Sequence, residues 1–248
     1  MDRYLFPSRS KTIRLSIIIP ARNEAGNITA TLLPLQGMRR RGGEVIVVDG
    51  RSRDDTIEYA APLADRVLVS APGRARQMNA GARAATGRAL WFLHADTLAP
   101  ENADRLLLDA LAERPWGRFD VRLSGRHFLL SLVAGAMNLR SRLTGIATGD
   151  QGIFLRRDTF QALGGFPELP LMEDIEISRR LKAIAGRPAC LAPPLVTSSR
   201  RWEENGIART ILLMWGLRLA FALGVDPARL ARWYTGRAAG SESQENDE

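Results

Sequence analysis

Short apolar runs alternate with segments of helical character through the first half of the chain. Residues 15–19 form one such run and residues 44–48 form the next, and each passes directly into a polar loop. Further strands are predicted at 66–70 and 88–93, and helices at 27–40, 54–61, 73–86 and 100–113. This alternation predicts an α/β fold with a mainly parallel sheet and right-handed crossovers.

The second half of the chain is less regular. Strands are predicted at 119–123 and 152–155, helices at 128–143 and 173–184, and a polar loop at 198–206. Residues 207–225 are strongly apolar, but Arg209 and Arg218 interrupt them, so no transmembrane helix is predicted there.

Acidic residues follow three of the predicted strands. Glu24 comes shortly after the first strand, Asp49 ends the second, and His94 and Asp96 follow the strand at 88–93. The carboxyl ends of parallel strands meet at one edge of a sheet, and ligands bind there. A carboxylate with an imidazole two residues away can hold a divalent cation that bridges two phosphates.

The composition is that of an ordinary globular protein with an excess of arginine. The 248 residues carry a formal charge of +8, and only Lys11 and Lys182 are lysines. Arginine binds phosphate through its bidentate fork, so the excess indicates either an anion-attracting surface or a compositional bias. With Cys190 as the single cysteine, no internal disulfide can form. Residues 1–11 lack the apolar core of a signal peptide, so a cytoplasmic location is expected.

These motifs together resemble one enzyme family. The order Pro20-x-x-Asn23-Glu24, then Asp49-Gly50-x-Ser52-x-Asp54, then an acidic cluster after a buried strand resembles the inverting glycosyltransferases of family two, which have the GT-A fold. The resemblance covers about residues 15–205. It implies transfer of a sugar from a nucleoside diphosphate sugar to a hydroxyl acceptor. A UDP-sugar is the donor expected first, and the acceptor is a soluble molecule, a lipid-linked molecule or a lipid.

The resemblance also assigns a donor side. It places Pro20, Glu24, Asp49 and Ser52 on the nucleoside, with Asp54 in support. Asp96 matches the second acid of the family's Asp-x-Asp motif. The resemblance therefore assigns it to bind the metal ion on the diphosphate. His94 replaces the first acid, and contacts either the ribose or the metal. An imidazole ligand favours Mn²⁺ over Mg²⁺. Arg76, with Arg74 as second choice, is expected near the base and diphosphate.

The acceptor side is implied by a later motif. Glu173 and Asp174 follow a Gly164-Gly165-Phe166 turn, and the resemblance makes Asp174 the base that deprotonates the acceptor hydroxyl. Glu173, Asp150 and Gln151 are expected to line the acceptor side. Arg201 and Trp202 resemble the Arg-Trp pair of processive members, and Arg200 or Arg201 would neutralise the departing diphosphate.

One domain is therefore expected over residues 1–235, followed by a disordered acidic tail at 236–248. Its donor-binding half spans about 13–100, its acceptor half about 101–205 and its apolar helix about 207–225. The helices at 128–139 and 207–225 either pack in the core or lie on the inner face of the cell membrane, with Arg140, Arg142, Arg209 and Arg218 snorkelling.

The sequence also bears on three other classes of function. A sugar-phosphate nucleotidyltransferase would need a glycine-rich phosphate loop after the first strand, where this chain has Pro20-Ala21-Arg22-Asn23-Glu24. A dehydrogenase is disfavoured on the same ground, since no Gly-x-Gly-x-x-Gly follows. An arginine-rich nucleic-acid binder is disfavoured because the arginines are dispersed and acids stand at the strand ends, so no nucleic-acid partner is expected.

Overall fold

The computed structural model describes residues 14–236, and within them one sheet of eight strands forms the centre of the molecule. The strands are β1 (Leu15–Ala21), β2 (Glu44–Asp49), β3 (Arg66–Val69), β4 (Ala89–Phe92), β5 (Thr97–Leu98), β6 (Trp116–Leu123), β7 (Phe154–Arg156) and β8 (Ala189–Thr197). Their order across the sheet is β3-β2-β1-β4-β7-β6-β8-β5.

The sheet is mostly parallel, which confirms the predicted fold class. β1 pairs in parallel with β2 and β4, β2 with β3, and β6 with β8. The antiparallel pairs involve β7, which lies between β4 and β6, and β5, which lies beside β8. The antiparallel strands thus belong to the half of the sheet where the sequence pattern is less regular.

Helices flank this sheet. They are α1 (Ile28–Leu32), α2 (Gln36–Arg40), α3 (Thr56–Ala60), α4 (Arg74–Ala84), α5 (Ala103–Glu113), α6 (Phe128–Thr144), α7 (Arg157–Ala162), α8 (Glu173–Ala185), α9 (Arg200–Glu204), α10 (Ile207–Ala222) and α11 (Pro227–Gly236). Single 3₁₀ turns stand at Ala61–Leu63 and Gly149–Gln151. No helix among residues 14–236 is long and apolar enough to cross a bilayer.

The central parallel strands β1, β2 and β4 are buried on both faces, as expected for strands covered by helices on each side. Side chains alternate between faces along a strand: Ile17 and Ile19 of β1 join one core cluster, and Ile18 joins the other. α4 lies very close to β1, since a Cβ on Gly81 would come within 2.4 Å of Ile18 Cγ2. This close approach fixes where the start of α4 stands relative to the strand ends.

Several sequence predictions of local structure were wrong. The helix predicted at 27–40 is two helices, interrupted near Pro34, which has no N–H to donate. The loop predicted at 198–206 contains α9. The strands β5 and β8 and the helices α7 and α11 were not predicted. The predicted tail at 236–248 lies outside the described residues apart from Gly236, which ends α11.

Candidate active site

The loops after β1 and β2 meet at Ser52. The parallel register sets Ala21 opposite Asp49, so both strands end at the same level. The Ser52 backbone N–H donates to Asp49 Oδ2 at 2.9 Å, and its hydroxyl donates to the other carboxylate oxygen. Ser52 Oγ in turn accepts from the Asn23 N–H at 2.9 Å. The fully buried Asp49 therefore holds both loops in one arrangement.

A second set of bonds joins the loop after β1 to the residues around the start of α3. The Ala25 N–H donates to Asp54 Oδ2 at 3.1 Å, and the Glu24 N–H donates to Thr56 Oγ1 at 2.8 Å. The hydrogen bond from Thr56 is the main reason that the pKa of Asp54 lies below its usual value. Glu24 itself accepts from Asn27 Nδ2 and stays half-buried, as does Pro20 at the end of β1. Asp54 thus supports the loops from the exposed side.

Backbone strain concentrates in the predicted motifs. Within residues 14–236, three non-glycine residues have positive φ: Asn23 at 54°, Arg51 at 64° and Met172 at 68°. Such residues are uncommon and collect at functional sites, where the surrounding structure holds them in place. Asn23 precedes Glu24, Arg51 precedes Ser52, and Met172 precedes the Glu173–Asp174 pair.

Arg74, at the first turn of α4, lies among the acidic residues of several segments. Its Nη1 donates to Glu173 Oε1 at 3.1 Å, and its side chain remains 44% exposed. Partial loss of contact with solvent lowers the pKa of Arg74, but four carboxylates outweigh this effect and raise it. They are Glu173, Asp174, Asp150 and Asp96. The acid after β4 and the acids of the predicted acceptor side therefore share one electrostatic environment.

Asp174 is held at the N-terminus of α8 by backbone donors. The Gly149 N–H donates to its Oδ2 at 2.9 Å, and the Ile175 N–H donates to its Oδ1 at 2.7 Å. Burial, together with the charge of Glu173, raises the pKa of Asp174 to about 6, against the opposing effects of these bonds and of Arg74. A carboxyl group with this pKa is ionised at neutral pH and accepts a proton more readily than an ordinary aspartate.

The segment after β4 supplies one carboxylate suited to a divalent metal. No group of three or more metal-ligating side chains exists among residues 14–236. Mg²⁺ and similar ions are commonly held by one or two carboxylates together with substrate phosphates, and Asp96 fits that pattern. His94 Nδ1 lies 3.2 Å from Asp150 Oδ1, whereas the buried Nε2 lies close to Gly149 and has no hydrogen-bond partner among residues 14–236. His94 thus orients the 149–151 segment in this structure.

Other predicted site residues lie elsewhere. Arg76 pairs with Glu168 in an exposed ion pair, so Arg74 and not Arg76 is the arginine among the site carboxylates. Gln151 is fully buried and forms a capping box with Thr148. Trp202 packs against the cluster formed by Leu123, Leu130 and Ala134. The prediction for the side chain of Arg201 lies outside the described part of the structure.

Two residues of the site were missed from the sequence. Gln77 is buried, and its Nε2 donates to the carbonyls of Ala21 and Val48 at 2.8 Å each, which fixes the ends of β1 and β2. Arg140, on α6, lies within electrostatic reach of Asp150 and Asp174. The motif stretch 73–82 contained a signal for Gln77, since its position one turn after Arg74 faces the sheet. Nothing local in the sequence distinguished Arg140 from other helical arginines.

The fold and this edge of strand ends together define a GT-A-type α/β protein. A family model for glycosyl transferase family 2 matches residues 16–157, and the chain belongs to that family. Among proteins with curated descriptions, none matches the sequence significantly.

Solved structures agree in fold. S. aureus TarS (residues 1–349) is 21% identical with a TM-score of 0.60, and the match covers 77% of this chain and 62% of that one. A mannosyltransferase from Pyrobaculum calidifontis, solved with GDP-Man and Mn²⁺, is 24% identical with a TM-score of 0.57 and coverages of 80% and 60%. Glucosyl-3-phosphoglycerate synthase from Mycobacterium tuberculosis, solved with Mg²⁺ and UDP, is 20% identical with a TM-score of 0.58 and coverages of 75% and 70%. The chain thus spans about three fifths of the length of the first two.

Proposed function

We propose that this protein is an inverting glycosyltransferase that moves a sugar from a nucleoside diphosphate sugar to a hydroxyl acceptor. The donor is expected to be a UDP-sugar, with Mn²⁺ or Mg²⁺ on its diphosphate. TarS has been solved with UDP and with UDP-GlcNAc, and the mannosyltransferase with GDP-Man, which supports a nucleotide-sugar donor. The metal complexes of two of these proteins support metal use in the same way.

One observation carries the proposal. The guanidinium of Arg74 lies within electrostatic reach of Asp96, of Asp150 and of the Glu173–Asp174 pair. These acids come from three segments that are far apart in the sequence, and each was expected on the donor or the acceptor side of one reaction. Their convergence supports a site in which donor diphosphate and acceptor hydroxyl meet.

The chemistry assigned to the chain is a single displacement. Asp174 accepts the proton of the acceptor hydroxyl as its oxygen forms a bond to the anomeric carbon. The bond from that carbon to the donor phosphate oxygen breaks, and the diphosphate leaves with the electron pair. The N–H groups of Gly149 and Ile175 orient the Asp174 carboxylate for this transfer. Arg74 offsets the negative charge that builds up nearby.

The donor is assigned to the loops after β1 and β2. Pro20, Glu24, Asp49 and Ser52 would contact the nucleoside, and the bonds between Ser52, Asp49 and Asn23 preorganise these loops. Asp96 would hold the divalent metal, which when bound stabilises charge on the diphosphate. His94 would position Asp150 and its neighbours.

We further propose that the protein contacts an anionic membrane surface. Leu212, Trp215 and Leu219 follow one face of α10, Leu223 comes directly after the helix, and all four are 64% to 76% exposed. Phe128, Leu132, Leu139 and Leu143 follow one face of α6 and are 58% to 69% exposed. Exposed apolar patches on helix faces mark protein or membrane interaction surfaces, and a net charge of +8 favours an anionic bilayer as the partner. The opposite face of α10 packs on Met172 through Leu217, directly before the Glu173–Asp174 pair.

The experiment that tests the enzymatic proposal is a donor screen that measures release of nucleoside diphosphate, with Mn²⁺ or Mg²⁺ and then with chelator. We expect metal-dependent release from one or more nucleotide sugars. The product's anomeric configuration, read by NMR from a donor of known configuration, tests inversion. No release and no binding of any nucleotide sugar, by calorimetry with metal present, would contradict the proposal.

A further inference from the structure

Arg140 has an unusual environment for a charged side chain. Its Nε and Nη2 atoms are buried, and neither has a hydrogen-bond partner among residues 14–236. A buried charged donor without a partner is costly, and in native proteins such a group usually has a ligand or a functional reason. Burial therefore lowers the pKa of Arg140, and the nearby guanidinium of Arg118 adds to the effect.

The two unpartnered atoms form the edge of the guanidinium that binds oxyanions. Arg41 uses the same edge, with Nε and Nη2 each 2.8 Å from an oxygen of Asp104. Arg39 binds Asp65 in the same way, with Nε 3.2 Å and Nη2 2.8 Å from the two carboxylate oxygens. The fork of Arg140 is thus the kind of group that this chain elsewhere pairs with a carboxylate.

No carboxylate of the described chain fills this fork, although two lie within electrostatic reach. Asp174 and Asp150 both raise the pKa of Arg140. The oxygens of Asp174, however, accept from the backbone N–H groups of Gly149 and Ile175 and not from Arg140. Arg118 is committed to Asp120 and to the Asn138 carbonyl. Arg140 therefore has an unfilled oxyanion-binding fork within electrostatic reach of the proposed base.

We propose that Arg140 binds an oxyanion of the acceptor, a phosphate or a carboxylate carried close to the hydroxyl that receives the sugar. This inference rests on the proposed function, because it takes Asp174 as the group that deprotonates that hydroxyl. It deepens that function by naming the acceptor class as hydroxyl compounds with an adjacent anionic group. The anion is part of a soluble molecule or of a lipid headgroup, and the two share the same chemistry.

The first test is direct binding of inorganic phosphate, measured by thermal unfolding with UDP and Mg²⁺ held at saturation so that the donor side is filled. We expect phosphate to raise the Tm of the wild-type protein and the Arg142→Gln control, and to bind Arg140→Gln about 10- to 100-fold more weakly. Arg142 is on the same helix and already donates to Asp120, so its loss removes equal charge. Equal phosphate stabilisation of wild type and Arg140→Gln would overturn the inference.

The second test compares matched acceptors at fixed donor. Glycerol is the neutral probe, and glycerol 3-phosphate, glycerate and detergent-dispersed phosphatidylglycerol are the anionic ones. We expect wild type to prefer an anionic probe by about 10-fold or more in kcat/KM, and Arg140→Gln to lose that preference. Activity with glycerol 3-phosphate or glycerate would indicate a soluble acceptor, and activity with phosphatidylglycerol alone would indicate a lipid headgroup.

Three outcomes would count against the inference. An equal loss of rate on glycerol and on the anionic probes would mean that Arg140 acts through Asp174. Weakened UDP binding in Arg140→Gln would mean that it contacts the donor diphosphate. If the wild-type protein used glycerol and the anionic probes with equal kcat/KM, the guanidinium fork of Arg140 would have no role in acceptor choice. Failure of the proposed function differs from all three, because the wild-type protein itself would then neither bind nor cleave a nucleotide sugar.

Discussion

Asp174 combines three properties that a catalytic base requires. Its carboxylate is fixed by two backbone donors, it lies among the other site acids around Arg74, and its pKa is raised to about 6. Burial is the main cause of this shift, and the charge of Glu173 adds to it. The residue is thus poised to take up a proton near neutral pH, although it remains mostly ionised there.

The rate should depend on Asp174 and on its ionisation. We expect Asp174→Asn to lower kcat about 10²- to 10⁴-fold, because the amide cannot accept a proton, and to leave UDP affinity unchanged. For wild type, kcat/KM should rise with pH through about 6, since the base must be ionised in the free enzyme. Glu176→Gln, which removes an acid from the same helix, is the control. Near-wild-type turnover in Asp174→Asn would leave Glu173 or Asp150 as candidates.

The same pKa shift predicts a pH-dependent cost in stability. Because the folded-state pKa of Asp174 lies above its ordinary value of 3.8, the native state holds its proton more tightly than the unfolded state. The contribution of the protonated group is therefore lost as pH rises from about 4 to about 6. The Tm of Asp174→Asn minus that of wild type should become more positive between about pH 4.5 and about pH 7.5. A constant difference across this range would contradict the raised pKa.

Asp96 is the residue that the proposal assigns to the metal. Asp96→Ala should abolish metal-dependent UDP binding in calorimetry, because it removes the carboxylate expected to hold the ion on the diphosphate. Asp109→Ala, on α5, is the control for loss of one acid. Unchanged UDP affinity in Asp96→Ala, with and without chelator, would remove it from the donor site.

At the scale of elements, the sequence predicted the strands and helices that depend on neighbouring residues. It missed those that depend on pairing between distant segments. β1 and β2 could be predicted because each is an apolar run that ends in a polar loop, and their acids then fall at one edge. β8 contains Pro193 and Pro194, which disfavour a strand, and its pairing with β6 is irregular between Phe119 and Val121. Arg140 could not be predicted because the folded chain alone brings it within electrostatic reach of Asp150 and Asp174.

The packing of α4 on β1 gives a prediction at this scale. Gly81→Ala should destabilise the protein by about 1–3 kcal/mol, because the new Cβ would come within 2.4 Å of Ile18 Cγ2. Gly135→Ala is a matched control in the interior of α6, where no atom lies within 4 Å of the Cβ position. That change should stabilise the protein by about 0.5–1 kcal/mol through helix propensity. Urea denaturation measures both, and a stabilised Gly81→Ala variant would mean that α4 is packed less closely than described.

The whole molecule places an apolar surface next to the proposed acceptor side. α10 packs on Met172 with one face and exposes leucines and a tryptophan on the other. α6 carries Arg140 and also has an exposed apolar face. Under the membrane proposal, an acceptor held in a lipid headgroup would approach Asp174 from this surface, which connects the membrane proposal with the oxyanion proposal.

Membrane contact is tested by co-sedimentation with vesicles that contain phosphatidylglycerol. We expect wild type to bind, and Trp215→Ser and Leu219→Ser to weaken binding about 10-fold each, because a leucine-sized side chain contributes about 1.5–3 kcal/mol when it leaves water. Leu33→Ser is the matched control: Leu33 is also more than half exposed but lies on neither helix face. Binding should fall with added salt and be weak on neutral phosphatidylcholine vesicles, since arginines add attraction to anionic headgroups. If all three variants bind as wild type does, or if Leu33→Ser is as defective as the others, the exposed face of α10 does not dock on a bilayer.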